Sequence, residues 1–240
     1  MHAAFCASIE AQWGTIKGQV ILDGDIPRIP LLVKKGDLAN KDAAICAAHD
    51  IPDEKLVVDP KTKGIANIVI YLAKKPVNVH PNLAQSKDKE VKIDQKGCLY
   101  VPHVMLVRTD QRVRVFSDDA IFHSTHTHPI KNDLENFVMA PNDRSGVVLK
   151  PMKLAEKVPT KVTCDIHPWT SAYLMVLDHP YAAITDEKGH FEIAHLPVGI
   201  HEFKVWHESS GFLEKKRTIR IQEGMNEQKP LMYSASQILK

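Results

Sequence analysis

The 240-residue chain has no apolar run near the roughly 18 residues that a membrane-spanning helix needs. It has no excess of charge: 31 Lys and Arg stand against 29 Asp and Glu. A balance so near neutral implies neither a nucleic acid nor a membrane surface as partner. A Gly-rich phosphate loop and a nucleophile elbow are both missing, which removes the usual signatures of nucleotide binding and serine hydrolysis. Low-complexity tracts and fixed-period repeats are absent, and helical periodicity is scarce. Only DLANKDAAICAAHD (37–50) reads as a helix, with Leu38, Ala43, Ile45 and Cys46 partly on one face.

Cysteine is sparse, at four residues. Cys6 lies in a small, apolar opening stretch, MHAAFCASIEAQ (1–12), which lacks a basic start and a full hydrophobic segment. That stretch reads as the tail of a secretion signal or as a disordered leader. The extracytoplasmic look of the remainder favours the first, and with it a periplasmic or secreted location. Cys46 and Cys98 are a disulfide candidate, with two buried free thiols as the alternative. Cys164 falls in a loop considered below.

Apolar residues make up 44% of the chain and charged residues 25%, enough for a substantial core in one large domain or two ordinary ones. Short β-rich segments recur between turn signals: 14–27, 65–72, 98–107, 112–116, 190–196, 201–208 and 216–222. This spacing predicts an all-β protein built of sandwiches. The polar, Pro-containing stretch 75–90 reads as a long loop, and 178–189 as a second boundary. Ser209-Ser210-Gly211 beside His207 and Glu208 reads as a strand-punctuating turn rather than a hydrolase site.

Histidine is abundant. Ten of the thirteen lie from His103 onward. In CDIHPWT (164–170), Cys164 and His167 are three apart, so a compact loop can aim a thiolate and an imidazole at one ion, with Pro168 stiffening the turn. FSDDAIFHSTHTHP (116–129) supplies His123, His126 and His128, the last two on one face of a regular strand. A thiolate with several imidazoles suits copper, and zinc equally as a tetrahedral set. Taken singly, each residue is as well explained as a buried small thiol or a core histidine.

In order, however, these motifs resemble those of the cupredoxins of the amicyanin and plastocyanin kind. RVRVFSDDAIFHSTH matches the strand and turn that deliver the first His, and VTCDIHPWT matches the Cys-x-x-His-Pro-x-Met loop. Gly97-Cys98-Leu99-Tyr100-Val101-Pro102-His103 is similar to a segment of secreted bacterial methylamine-utilisation-like proteins. The resemblance covers about 95–180. It implies a Greek-key β-sandwich holding one copper through His123, Cys164 and His167. The family's axial Met falls on Thr170, whose hydroxyl is a hard donor, so the fourth ligand is open among Thr170, His103 and His126. Met175 is disfavoured by its strand-like setting.

The Cys is flanked by Thr163 and Asp165 rather than by His, and only one His-x-His pair is present. A single loop cysteine also excludes a binuclear copper centre. Electron transfer is therefore the leading expectation, with no redox partner or oligomeric state named by the sequence. A metal-free or zinc-stabilised structural or carbohydrate-binding-like module is the alternative, and a copper enzyme with an open coordination position is a third reading.

AAITDEKGHFEIAHLPVGIHEFKVWHE (182–208) resembles carboxypeptidase regulatory-like modules, which are transthyretin-like sandwiches. Phe191 and Ile193 share one face, as do Phe203 and Val205, around a turn at Pro197-Val198-Gly199. Trp206-His207-Glu208 reads as core packing or as a site. The expected organisation is a leader at 1–12, an N-terminal β segment at 13–75 that joins the regulatory-like sandwich, a copper domain at 95–180, and a C-terminal β segment at 181–240.

Overall fold

Alternating strands with two buried faces dominate the computed structural model, which describes residues 12–239. The leader up to residue 11, with Cys6, lies outside the described residues. The strands are β1 (Trp13–Asp23), β2 (Val69–Leu72), β3 (Glu90–Lys96), β4 (Leu99–Val101), β5 (Val104–Arg108) and β6 (Arg112–Ser117). There follow β7 (His123–His128), β8 (Asn136–Met139), β9 (Val147–Val148), β10 (Thr160–Thr163), β11 (Ser171–Leu177) and β12 (Ala182–Ile184). The last five are β13 (His190–Pro197), β14 (Gly199–His207), β15 (Gly211–Ile221), β16 (Gly224–Glu227) and β17 (Leu231–Ser234). Two single-turn helices, α1 (Ala43–Cys46) and α2 (Ala235–Ile238), complete the regular structure.

The strands form four sheets stacked in sequence. The first has the order β13-β1-β16, with β17 also paired to β1. The second runs β12-β2-β14-β15, the third β5-β11-β10-β7-β8, and the fourth β4-β3-β6-β9. The period-2 alternation of side chains decides what each layer touches. In β2, Ile70 and Leu72 join Ile16, Val20, Phe191, Ile193, Phe203 and Val205 in the core between the first two sheets. Its other face puts Val69 and Tyr71, with Trp206, against Val104, Tyr173, Met175 and Leu177 of the third sheet. β11 repeats the device: Leu174 and Val176 pack with Ile93, Tyr100, Val113 and Val115 of the fourth sheet. Such doubly buried strands are near-continuous apolar runs, which is why IVIYL and AYLMVL stand out in the sequence.

The chain is thus all-β, as its patterning predicts. The strands of 13–72 pair only with strands of 182–234, and those between pair among themselves. One local expectation changes. The helix expected over 37–50 shrinks to Ala43–Cys46, because Asp37 and Asp50 engage backbone N–H groups of Ala39 and Lys35 instead. The strand, turn and strand expected over 190–208 are present as β13 and β14; β13 pairs with β1 and β14 with β2 and β15, so the turn carries the chain from the first sheet to the second. The boundary stretch 178–189 contains β12, which pairs with β2. Between 73 and 89 there is no strand, only a 3-10 turn at Pro81–Leu83.

Candidate metal centre

The centre forms where the third sheet meets the loop between β10 and β11. β10 pairs antiparallel with both β7 and β11, and Thr163 faces His126 on one side and Ser171 on the other. The seven residues from Cys164 to Thr170 therefore close a loop at the sheet's end beside the start of β7. Two backbone bonds tie it: Cys164 N–H to the Thr170 carbonyl (3.1 Å) and Thr170 N–H to the His167 carbonyl (2.9 Å).

Within this frame the Sγ of Cys164 lies 3.8 Å from Nδ1 of His123 and 3.8 Å from Nδ1 of His167. The two Nδ1 atoms are 3.1 Å apart. Cys164 is 1% exposed and both imidazoles are 0% exposed. The sulfur accepts hydrogen bonds from the backbone N–H of Ser124 (3.3 Å) and of His167 (3.4 Å). Ser124 is itself fixed: its Oγ accepts the Asp165 N–H at 2.6 Å, and its carbonyl accepts from Gln95 Nε2 and Tyr100 OH, both at 2.9 Å.

The far nitrogens of the rings meet carboxylates. Nε2 of His123 lies 2.9 Å from Oδ2 of Asp119, and Nε2 of His167 lies 3.0 Å from Oδ2 of Asp42. A carboxylate accepts, so each Nε2 carries a proton, and each Nδ1 is turned toward the sulfur. Asp119 also accepts the N–H groups of Gly97 (2.7 Å) and Cys98 (2.8 Å). Burial opposes ionisation of Asp119, but its bonds from His123, Cys98 and Gly97 prevail and hold its carboxyl below the usual range.

The electrostatics follow. Burial alone would raise the Cys164 thiol, yet hydrogen bonds from His123, His167 and two backbone N–H groups draw it down to about 5. Burial likewise opposes a charged His123, but its bonds to Asp119 and Cys164 raise it to about 9.

The donor set fits a metal. For a zinc-sized ion, bonds of about 2.3 Å to sulfur and about 2.0 Å to nitrogen, at about 100–120°, put sulfur and nitrogen about 3.3–3.8 Å apart and two nitrogens about 3.1–3.6 Å apart. The three ligand atoms of His123, Cys164 and His167 already have that spacing, and they form a buried group able to hold an ion. Cys98, Asp119 and His123 also approach one another, but the sulfur of Cys98 is bonded to Cys46. Cys164 is the free cysteine of the described residues.

The other sequence candidates have different partners. The Thr170 hydroxyl donates to the Cys98 carbonyl at 2.6 Å. Both ring nitrogens of His103 are engaged: Nδ1 with the Ser171 carbonyl (3.1 Å) and Nε2 with Glu208 (2.6 Å). Burial works against a charged His103, but Glu208 outweighs it and raises its pKa. His126 turns outward, with Nδ1 at 3.2 Å from Asp165 and its ring 4.2 Å from that of His128. Met175 is buried in the seam between the second and third sheets. Two residues that sequence reasoning passed over, Asp42 and Asp119, complete the surroundings. Asp119 precedes His123 by four residues, a spacing visible in the sequence. Nothing local marks Asp42, which lies 125 residues from His167.

The chain matches no known family model, and no curated protein matches its sequence. Similar solved structures include a copper-containing nitrite reductase from Thermus scotoductus SA-01, with 17% identity over 43% of this chain and TM-score 0.30. The match spans 25% of that protein, so this chain corresponds to about a quarter of its length. Others are a methionine-to-alanine variant of amicyanin in the Cu(I) state (13% identity, 45% of this chain, 98% of amicyanin, TM-score 0.31) and a reduced proline-to-phenylalanine variant of amicyanin (14%, 45%, 98%, TM-score 0.32).

Proposed function

We propose that this chain binds one copper ion through Nδ1 of His123, Nδ1 of His167 and Sγ of Cys164, and serves as an electron carrier. One observation carries the reading. With Asp119 and Asp42 bonded to both Nε2 atoms, the two Nδ1 atoms face each other 3.1 Å apart, and an acidic thiol lies 3.8 Å from each. A metal ion that displaces the protons on these atoms meets three converging electron-pair donors at ligand spacing. Bound copper would supply a one-electron couple.

The chain's own residues suit that task. Backbone N–H groups of Ser124 and His167 fix the sulfur. Gln95 and Tyr100 hold the Ser124 carbonyl from the core. Burial of all three ligands keeps water off. A preset ligand geometry leaves little to rearrange when charge changes.

An oxidising location, periplasmic or secreted, is part of the proposal. The Cys46–Cys98 disulfide supports it, since such bonds persist outside reducing compartments. The strands of 13–72 and 182–234 are proposed to form a single split scaffold of the carboxypeptidase regulatory-like type, with the copper unit between them. Their shared sheets support this.

The test is copper titration followed by visible absorption and electron paramagnetic resonance. An intense thiolate-to-copper band is expected, lost in Cys164→Ser. No band, with no rise in melting temperature on adding copper, would sink the reading. The same donor set also fits zinc. Stabilisation by zinc without any stable copper complex would establish a structural zinc site instead. A copper enzyme would show a spectrum perturbed by azide.

A further inference from the structure

Asp42 lies well before the proposed copper region and Asp119 within it, yet each meets the same atom, Nε2, of one imidazole. They are also connected. Asp42 stands immediately before α1, whose last residue is Cys46. Cys46 is disulfide-bonded to Cys98, and the Cys98 N–H is bonded to Asp119. Around the ligand set the path His167–Asp42–α1–Cys46–Cys98–Asp119–His123 is thus continuous.

Two backbone irregularities fall on this path. Asp42 (φ 52°) and Cys98 (φ 59°) are both left-handed although neither is glycine. Such conformations are costly and persist where the surroundings over-determine them, often at functional sites. At Cys98 the turn, with Gly97 before it, points two successive N–H groups at Asp119. At Asp42 it places the carboxylate on His167. The segment itself is held by a small apolar cluster of Val33, Cys46, Ala47, Ile51 and Cys98, with Trp169 of the metal loop packed against it.

We propose that Asp42 and Asp119 are positioning residues for the two imidazoles, and that the Cys46–Cys98 disulfide braces Asp42 against His167. For its consequence on metal this rests on the copper reading above; the brace itself does not. A carboxylate on the far nitrogen fixes the ring and makes it a stronger donor. Two of them add negative charge close to the ion and favour its more positive state, Cu(II) over Cu(I), and divalent ions generally. His123 has its carboxylate from the neighbouring turn, held also by the Gly97 N–H, so the His167 side depends on the disulfide more directly.

The experiment uses the full chain. In the metal-free protein, long-range ¹H–¹⁵N spectra are expected to show slowly exchanging Nε2–H protons on both His123 and His167. Asp42→Ala, and separately the Cys46→Ser/Cys98→Ser double variant, should remove the His167 signal and leave that of His123. With copper, Asp42→Ala should weaken binding by about 10–100-fold. Asp42→Asn should raise the reduction potential, and Asp42→Glu should restore it in part. Asp42 is partly exposed, and thermal melts serve to establish that its variants fold. A wild-type spectrum without the His167 proton, or an Asp42→Ala variant with unchanged affinity and potential, would overturn the brace. A protein that takes up no copper but shows both protons, and loses one in Asp42→Ala, supports the brace while rejecting the copper reading.

Discussion

At the scale of the residue, the site was legible where its geometry is local. Cys164 and His167 share one loop, so spacing alone paired them; His123 was singled out from His126 and His128 by the resemblance of the ordered motifs to those of cupredoxins. Thr170 shows the limit of such reading. Its position in the loop invited comparison with a ligand, but its side chain has a structural task, donating to the Cys98 carbonyl at 2.6 Å. Thr170→Val removes the donor while keeping the shape. The buried acceptor then lacks that partner, and stability should fall by about 1–3 kcal/mol in denaturant unfolding. His207 gives a pH prediction. It is 1% exposed, and burial lowers its pKa to about 4, against 6.5 for the free side chain. Between those values the unfolded chain binds the extra proton, so stability falls as pH drops from about 6.5 toward 4. Protonation would also cost the ring its role as acceptor for the Ser209 N–H. Urea midpoints measured across that window should decline less steeply in His207→Gln.

At the scale of the element, strands with apolar alternation were readable, whereas β3 was not. β3 went unrecognised because Gln95 occupies an inward position. There its amide bonds to Tyr100 and Ser124 replace the apolar contact that the pattern expects. Asp42 was hidden for a different reason: a disulfide and a left-handed residue place it, and neither leaves a periodic trace. Pairing partners were also illegible, since two strands joined by a short turn can enter one sheet or two, as β13 and β14 do. Turn contacts carry their own constraint. Gly64 lies so close to the 186–189 turn that a Cβ would sit 1.8 Å from the Lys188 carbonyl oxygen. Gly64→Ala should therefore push residue 64 away from that turn and cost about 1–3 kcal/mol, visible as a lower thermal midpoint.

At the scale of the molecule, all-β class was readable from spacing, whereas the four-layer stack follows from which faces β2 and β11 bury. Met175 and Trp206 meet in the seam between the second and third sheets. Met175→Ala should cost about 2–5 kcal/mol. If the seam couples the layers, far-ultraviolet circular dichroism and tryptophan fluorescence will shift together in this variant; separated transitions would show that the layers unfold independently. The layout also sets a timetable. β1 leaves the ribosome before its partners β13, β16 and β17, which lie beyond residue 189. At about 5–20 residues per second, β1 waits on the order of ten to thirty seconds for a sheet to join. The strands around the metal loop need only each other, so they can close during that interval. Nascent β1, with Ile16, Val20 and Leu22 unburied, is then the stretch most in need of a chaperone.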